Sequence, residues 1–297
     1  MTEAPARSTW ALMKSGPFSR LWKAGLISST GDWVAILATL SLADNLAGGG
    51  GMVLALVSRI LPGLFFAPLG GVIADRVNRK YAMVACEVGR ALLVFSLVFA
   101  RSITFLVLVS LAMEGLTLLF QPARESSVPN LVNRNELVKA NSLSLSAAYG
   151  TFPVGAAFFT ILAPISPKVT FGGLLPGTAE GLAFMADAGT FLASAAIIWT
   201  IPMAGRLLPA ERRRQGRLNL MAPLRDLRDG VVFVATHRRV RPVVAAMGVA
   251  LAGGGIITVL GKPFATRVLL AGGAGFPALL TSFGLGPPDA ETGDVQV

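Results

Sequence analysis

The amino-acid sequence predicts an all-α fold, a polytopic membrane helix bundle, from three observations. Hydrophobic residues fill 53% of its 297 positions and charged residues 14%, with a mean hydropathy of +0.65; a water-soluble domain carries about 25% charged residues. The apolar residues gather into runs of roughly the 20 positions that cross a hydrocarbon core about 30 Å thick. The 26 Lys and Arg behind the net charge of +10 stand almost entirely between those runs. That placement speaks against nucleic acid as a partner and for orientation against anionic lipid. The single cysteine, Cys86, lies in an apolar run and excludes an intrachain disulfide. The first apolar run is too long for a signal peptide and lacks a small-residue cleavage site.

The elements follow in order. Residues 1–20 are a cytoplasmic amphipathic N-terminus, with Trp10 and Phe18 spaced for a membrane surface. A first span at 21–47 is interrupted by Asp32, a glycine turn fills 48–51, and a second span at 52–74 carries Arg59, Pro62 and Pro68. In the third, 81–100, Glu87 and Arg90 share a helical face three residues apart. The fourth, 103–120, holds Glu114 near its middle. A short loop and surface helix at 121–140 lead to the fifth, 141–163, where Gly150, Pro153 and Gly155 predict a helix bend and close packing. An outer loop at 164–180 precedes the sixth, 181–203, which contains Asp187. These six make one unit, 21–203. Residues 204–241 form a basic cytoplasmic loop with Leu224, Leu227, Val231 and Val234 at helical spacing. A seventh span follows at 242–260, with Gly253-Gly254-Gly255 as a packing site or break. The run 272–286 would give roughly 22 Å of helix, short of a crossing, so 242–286 supplies one span and a partial eighth before a polar tail at 287–297.

Orientation follows from the positive charges. Twenty of the Lys and Arg fall on the side of the N-terminus and of Arg79-Lys80, four on the other, while Arg59 and Arg90 lie within spans. The N-terminus is therefore expected in the cytoplasm of a cell whose cytoplasmic (inner) membrane holds this multi-pass chain.

Ionisable residues inside spans face a cavity or one another. At 1.5 Å per residue, Asp32 and Arg90 sit at roughly 15 and 13 Å from the cytoplasmic edge, and Arg59 and Asp187 at roughly 12 and 9 Å from the outer edge. Each pair matches in depth and opposes in sign, which fits structural ion pairs or a proton-coupling set. Glu114 has no partner at its own depth and is either a hydrogen-bonded carboxyl or a proton-exchanging one. Trp33, Phe65, Phe66, Tyr149, Phe152, Phe158 and Phe159 either line a pocket for a bulky apolar compound or face lipid and neighbouring helices.

Between the second and third spans runs Gly71-Val72-Ile73-Ala74-Asp75-Arg76-Val77-Asn78-Arg79-Lys80. Gly71 permits close helix approach, Asp75 and Arg76 end the apolar run, Asn78 tolerates a left-handed turn, and Arg79 and Lys80 add positive charge. This stretch resembles the signature loop of the major facilitator superfamily of transporters, with Ile73 in place of Leu and Asn78 in place of Gly. Phe120-Gln121-Pro122-Ala123-Arg124, Val128-Pro129, Glu136-Leu137 and Ala140-Asn141 resemble the fourth-to-fifth span junction of its bacterial exporter branch, which includes enterobactin and macrolide efflux proteins. Ala183-Phe184-Met185-Ala186-Asp187 with Thr190-Phe191 is similar to that branch's sixth span, and Leu21-Trp22 with Gly31-Asp32-Trp33 to its first. The likeness runs from about residue 18 to 286. Phe152 replaces the Gly that precedes Pro153 in the antiporter motif, and Leu111 stands where many proton antiporters have arginine.

The resemblance implies two six-helix halves related by a pseudo-twofold, with a substrate path between them and alternating access. On that pattern this chain holds the first half and the start of the second, so a C-terminal truncation is expected. Asp75 would latch against the second half, and Arg79 or Arg76 is placed to pair with Glu125. The expected activity is proton-linked efflux, an antiporter moving small, largely apolar compounds of drug, macrolide or siderophore type. The alternative is a truncated, non-transporting membrane protein or a half-module. Expected partners are the lipid bilayer, a small-molecule substrate, protons, and a partner half or second copy. Neither metal nor cofactor is expected, because His237 stands alone, and no nucleophile constellation points to an enzyme.

Overall fold

The computed structural model describes residues 7–74, 78–169, 177–202, 230, 232–271, 275 and 279. Every regular element among these residues is helical. A short helix, α1 (Thr9–Lys14), is opened by Ser8, whose hydroxyl accepts from the Ala11 amide at 3.2 Å. Gly16, at φ +97°, then turns the chain into α2 (Pro17–Ala74), with proline in the first helical position where its missing N–H costs nothing.

At 58 residues α2 is far too long for one crossing, and its backbone leaves helical geometry at Ala47 (φ −150°, ψ 20°) and Gly48 (φ 61°, ψ −157°). A Cβ on Gly51 would meet the carbonyl oxygen of Ala43, eight residues earlier. A continuous helix, rising 1.5 Å per residue, would hold those positions about 12 Å apart. The chain therefore reverses at Ala47–Gly48, and α2 is two antiparallel rods meeting where only glycine fits.

There follow α3 (Arg79–Ser96) with a 3-10 turn over Leu97–Phe99, and α4 (Ile103–Glu125), opened by Ser102. The fifth crossing is divided into α5 (Leu137–Tyr149) and α6 (Phe152–Ile165). The bend lies at Gly150–Thr151: Gly150 ends α5, its amide donating to Ser146 at 2.9 Å, and Pro153 sits in the first turn of α6. Then come α7 (Gly181–Trp199), α8 (Val240–Pro263) and a π-helical turn over Phe264–Val268. Among the described residues six stretches are long and apolar enough to cross a membrane: Pro17–Gly63, Arg79–Phe99, Ile103–Asn130, Arg134–Lys168, Gly181–Trp199 and Val240–Ile257. The first is doubled by the reversal.

Several boundaries differ from expectation. Phe18 is buried with Leu12 and Leu21, so the first rod starts at Pro17 and only Trp10 is left on the surface. The fourth helix runs past 120 to Glu125, with Pro122 inside its last turn. Asn78 has extended backbone (φ −66°, ψ 115°), and its Oδ1 caps α3 by accepting from the Lys80 amide at 3.1 Å, so it is not in a left-handed turn. Helix α8 is exposed along nearly all its described side chains. Most of the basic loop, including Leu224, Leu227 and Val231, and nearly all of 272–297, lie outside the described residues, as do Asp75 and Arg76.

Two apolar cores hold the bundle. One, centred on Ala38, Met52, Val94, Leu106, Phe184 and Phe191, joins the glycine-turn ends of both α2 rods to α3, α4, α6 and α7. The other, centred on Leu12, Phe18, Leu21, Met83, Phe120 and Ile198, joins α1 and the start of α2 to α3, α4, α5 and α7. Between them, on α2, α3 and α7, lies a layer of buried polar and charged side chains.

Candidate functional site

That layer is built around Arg90. Its position on α3 puts it one turn beyond Glu87, and Nη2 stands 2.9 Å from Glu87 Oε2, in ion-pair contact although off the hydrogen-bond direction. Nη1 stands 3.8 Å from Asp32 Oδ2 on α2. The guanidinium carbon lies over two rings, 4.4 Å from the Phe120 centroid and 4.5 Å from that of Phe191. Such faces favour a planar cation and hold it without competing donors. Glu87 is fully buried and accepts from Ser194 Oγ of α7 at 2.8 Å; Ser28 of α2 bonds the same carboxylate. Side-chain exposure is 0% for Glu87, 3% for Arg90 and 27% for Asp32. Asp32 is therefore the member of the trio that reaches out of the protein interior.

Asp187 joins from α7. Its Oδ1 accepts from Thr190 Oγ1 at 3.1 Å, while Oδ2 is buried without a hydrogen-bond partner. A Cβ on Gly31 would collide with Asp187 Oδ1 and Thr190 Oγ1, so the absence of a side chain next to Asp32 lets α7 bring this carboxyl against α2. The depth pairing of Asp187 with Arg59 is thus corrected: no ion pair joins them among the described residues, and Asp187 belongs to the layer of Asp32. Counting residues from the outer edge missed this because the contact of α7 with α2 is set by the missing side chain at Gly31, which depth along a helix does not reveal. Arg59, on the second rod of α2, is half-buried. Glu114 of α4 is half-buried too, its Oε1 3.9 Å from where a Cβ on Gly63 would lie.

The signature-loop residues act at helix ends. Arg79 Nη1 donates to the Ser126 carbonyl at 2.8 Å, just past α4, rather than to Glu125, which is exposed. Lys80 Nζ donates to the Ile201 carbonyl at 3.0 Å beyond α7 and lies 5.4 Å over the Trp199 ring. Arg20 adds a 2.7 Å bond to the Thr200 carbonyl. Cations there satisfy orphan carbonyls and oppose the negative ends of the helix dipoles. Gly71 is within the second rod of α2.

Nearby, Gly155 of α6 packs directly on α2 at Trp33, whose ring meets Phe152 edge-on at 5.0 Å and whose Nε1 donates to the Ala148 carbonyl at 3.0 Å. Phe159 is buried, whereas Tyr149 and Phe158 point outward, and the side chains of Phe65 and Phe66 are outside the described set. These aromatics do not converge on one pocket. Arg124, read from the sequence as an orientation charge, is buried against Gly25: a Cβ there would stand 2.6 Å from its Nη2, which has no hydrogen-bond partner. At the same end of the bundle Glu136 accepts from Arg7 through the amide (2.8 Å), Nε (3.0 Å) and Nη2 (2.9 Å).

A layer of buried charged and polar side chains thus lies between two apolar cores of a helix bundle, and the comparison with known families says which group of proteins the bundle belongs to. The profile of the transmembrane secretion effector family, a group of major facilitator transporters, matches residues 7–292. The chain belongs to this family. A curated relative, the uncharacterized MFS-type transporter YfiS of Bacillus subtilis (strain 168), is 29% identical over 210 residues, which take in 70% of this chain and 46% of the relative. The chain thus spans about half the length of the curated relative it matches. No solved structure matches. As a member of this family the protein is a multi-pass membrane protein, and the Arg90 layer lies where α2, α3, α4 and α7 meet.

Proposed function

We propose that the protein works as a proton-linked exporter of small, largely apolar compounds in the cytoplasmic membrane, with its N-terminus in the cytoplasm. The observation that carries this reading is the Arg90 layer: three carboxyls, Asp32, Glu87 and Asp187, around one guanidinium, with Asp32 alone partly exposed. Holding several ionised groups in a membrane interior is costly unless they are paired, so an excess of carboxyls favours taking up a proton. Asp32 takes that proton from the accessible side and releases it after the halves rock. Glu114, half-buried and outside any ion pair among the described residues, is a second exchange site.

The test is dye accumulation in inverted membrane vesicles from cells making the protein. The expected result is uptake driven by an inside-acid pH gradient and abolished by an uncoupler. Uptake equal to that of vesicles lacking the protein would reject the reading.

A further inference from the structure

We propose that Glu87 is a positioning residue for Asp32: it is the resident counter-ion of Arg90 and keeps the guanidinium from closing on Asp32, so that Asp32 stays free to gain and lose a proton. This rests on the proposed proton coupling and extends it to a buried carboxyl that never reaches the accessible side. The geometry is asymmetric. Arg90 contacts Glu87 at 2.9 Å but stands 3.8 Å from Asp32, short of a close pair. Glu87 is anchored by Ser194 Oγ at 2.8 Å, so it cannot easily follow Arg90 elsewhere. The rings of Phe120 and Phe191, their centroids 4.4 and 4.5 Å from Arg90 Cζ, pack on the guanidinium and restrict its movement. Arg90 thus has a permanent partner and an occasional one. When Asp32 is protonated Glu87 alone compensates the cation and the trio is neutral; when Asp32 is ionised the two carboxylates share one cation, and the net negative charge left on the trio favours regaining the proton.

Other charged groups also face Asp32: Asp187 from α7, Arg59 from the second rod of α2 and, from α4, Glu114. None contacts Arg90, which sets Glu87 apart.

The test is a pH titration of Asp32 by carbodiimide labelling, which modifies protonated carboxyls in apolar surroundings, on the purified full chain in detergent with the label read by peptide mass spectrometry. In Glu87→Gln the amide still accepts from Ser194, but Arg90 loses its anion and closes on Asp32. The labelling midpoint of Asp32 should then fall by one pH unit or more, a tenfold change in proton affinity. Glu87→Asp, which keeps the charge, should restore most of the wild-type midpoint. Glu87→Gln with Arg90→Met removes both charges and should return the midpoint to the wild-type value or above. A midpoint unmoved in Glu87→Gln, or a fall that persists without Arg90, would overturn the proposal. Because labelling needs no transport, a normal titration in a chain that moves no dye would reject the exporter reading and leave the role of Glu87 standing.

Discussion

Gly155 of α6 lies against Trp33 of α2 so closely that a Cβ at position 155 would stand 2.5 Å from Trp33 Cβ and 3.1 Å from the Thr30 carbonyl oxygen. Close contact of this kind brings two membrane helices within van der Waals reach along their backbones. It also brings Phe152 onto the Trp33 ring, one residue from Asp32. Any side chain at 155 has to part the helices. Gly155→Val should therefore cost about 1–3 kcal/mol, seen as a lower midpoint of thermal unfolding in detergent followed by tryptophan fluorescence. Gly189→Val on α7, where a Cβ meets nothing within 4 Å, should leave that midpoint unchanged.

Arg90 has two carboxylates and two rings around it, so removing it strands Glu87 at full burial. Arg90→Met is expected to lower stability by about 3–5 kcal/mol, the range for breaking a buried pair from one side. Arg90→Lys should recover little of it, because an ammonium has no planar face to lay on Phe120 and Phe191 while reaching Glu87. Equal unfolding midpoints for Arg90→Lys and wild type would show that the ring contacts contribute nothing.

Glu136 ties the N-terminal segment to the turn before α5, accepting three bonds from Arg7 and one from the Asn133 amide at 3.1 Å. Glu136→Leu removes every acceptor at once, and brief trypsin treatment of the detergent-solubilised variant should cut after Arg7 faster than in wild type. Identical rates would mean that the bonds to Glu136 do not hold the N-terminal segment in place.

The proposed orientation puts the glycine turn outside the cell and the start of α2 inside it. In a Cys86→Ala background, an impermeant maleimide should label Gly49→Cys in intact cells and leave Ser15→Cys untouched until the cells are opened. Both positions are exposed in the folded chain, so the contrast reports the membrane and not burial. Reversed labelling would invert the topology.

Much of this architecture was legible in the residues. Spacing alone put Glu87 and Arg90 on one face, Gly150 and Pro153 marked the bend between α5 and α6, and the outer loop ending at 180 put the start of α7 at Gly181. The site was harder to read because its members meet through helix crossings. Asp187 comes to Asp32 by way of the missing side chain at Gly31, and Arg124 finds its seat at Gly25. Each contact pairs a glycine with a polar group more than 90 residues away, which no local period encodes. Arg79 likewise binds a backbone carbonyl rather than Glu125, and carbonyl acceptors leave no trace in a sequence.

The most direct measurement is proton movement in liposomes containing only the purified chain, with a pH-sensitive dye inside and an apolar transported dye added outside. Wild type should move protons when the transported dye is added, and Asp32→Asn, isosteric but unable to titrate, should bind the dye and move none. Proton movement in Asp32→Asn equal to wild type would contradict the assignment of the Arg90 layer as the coupling site.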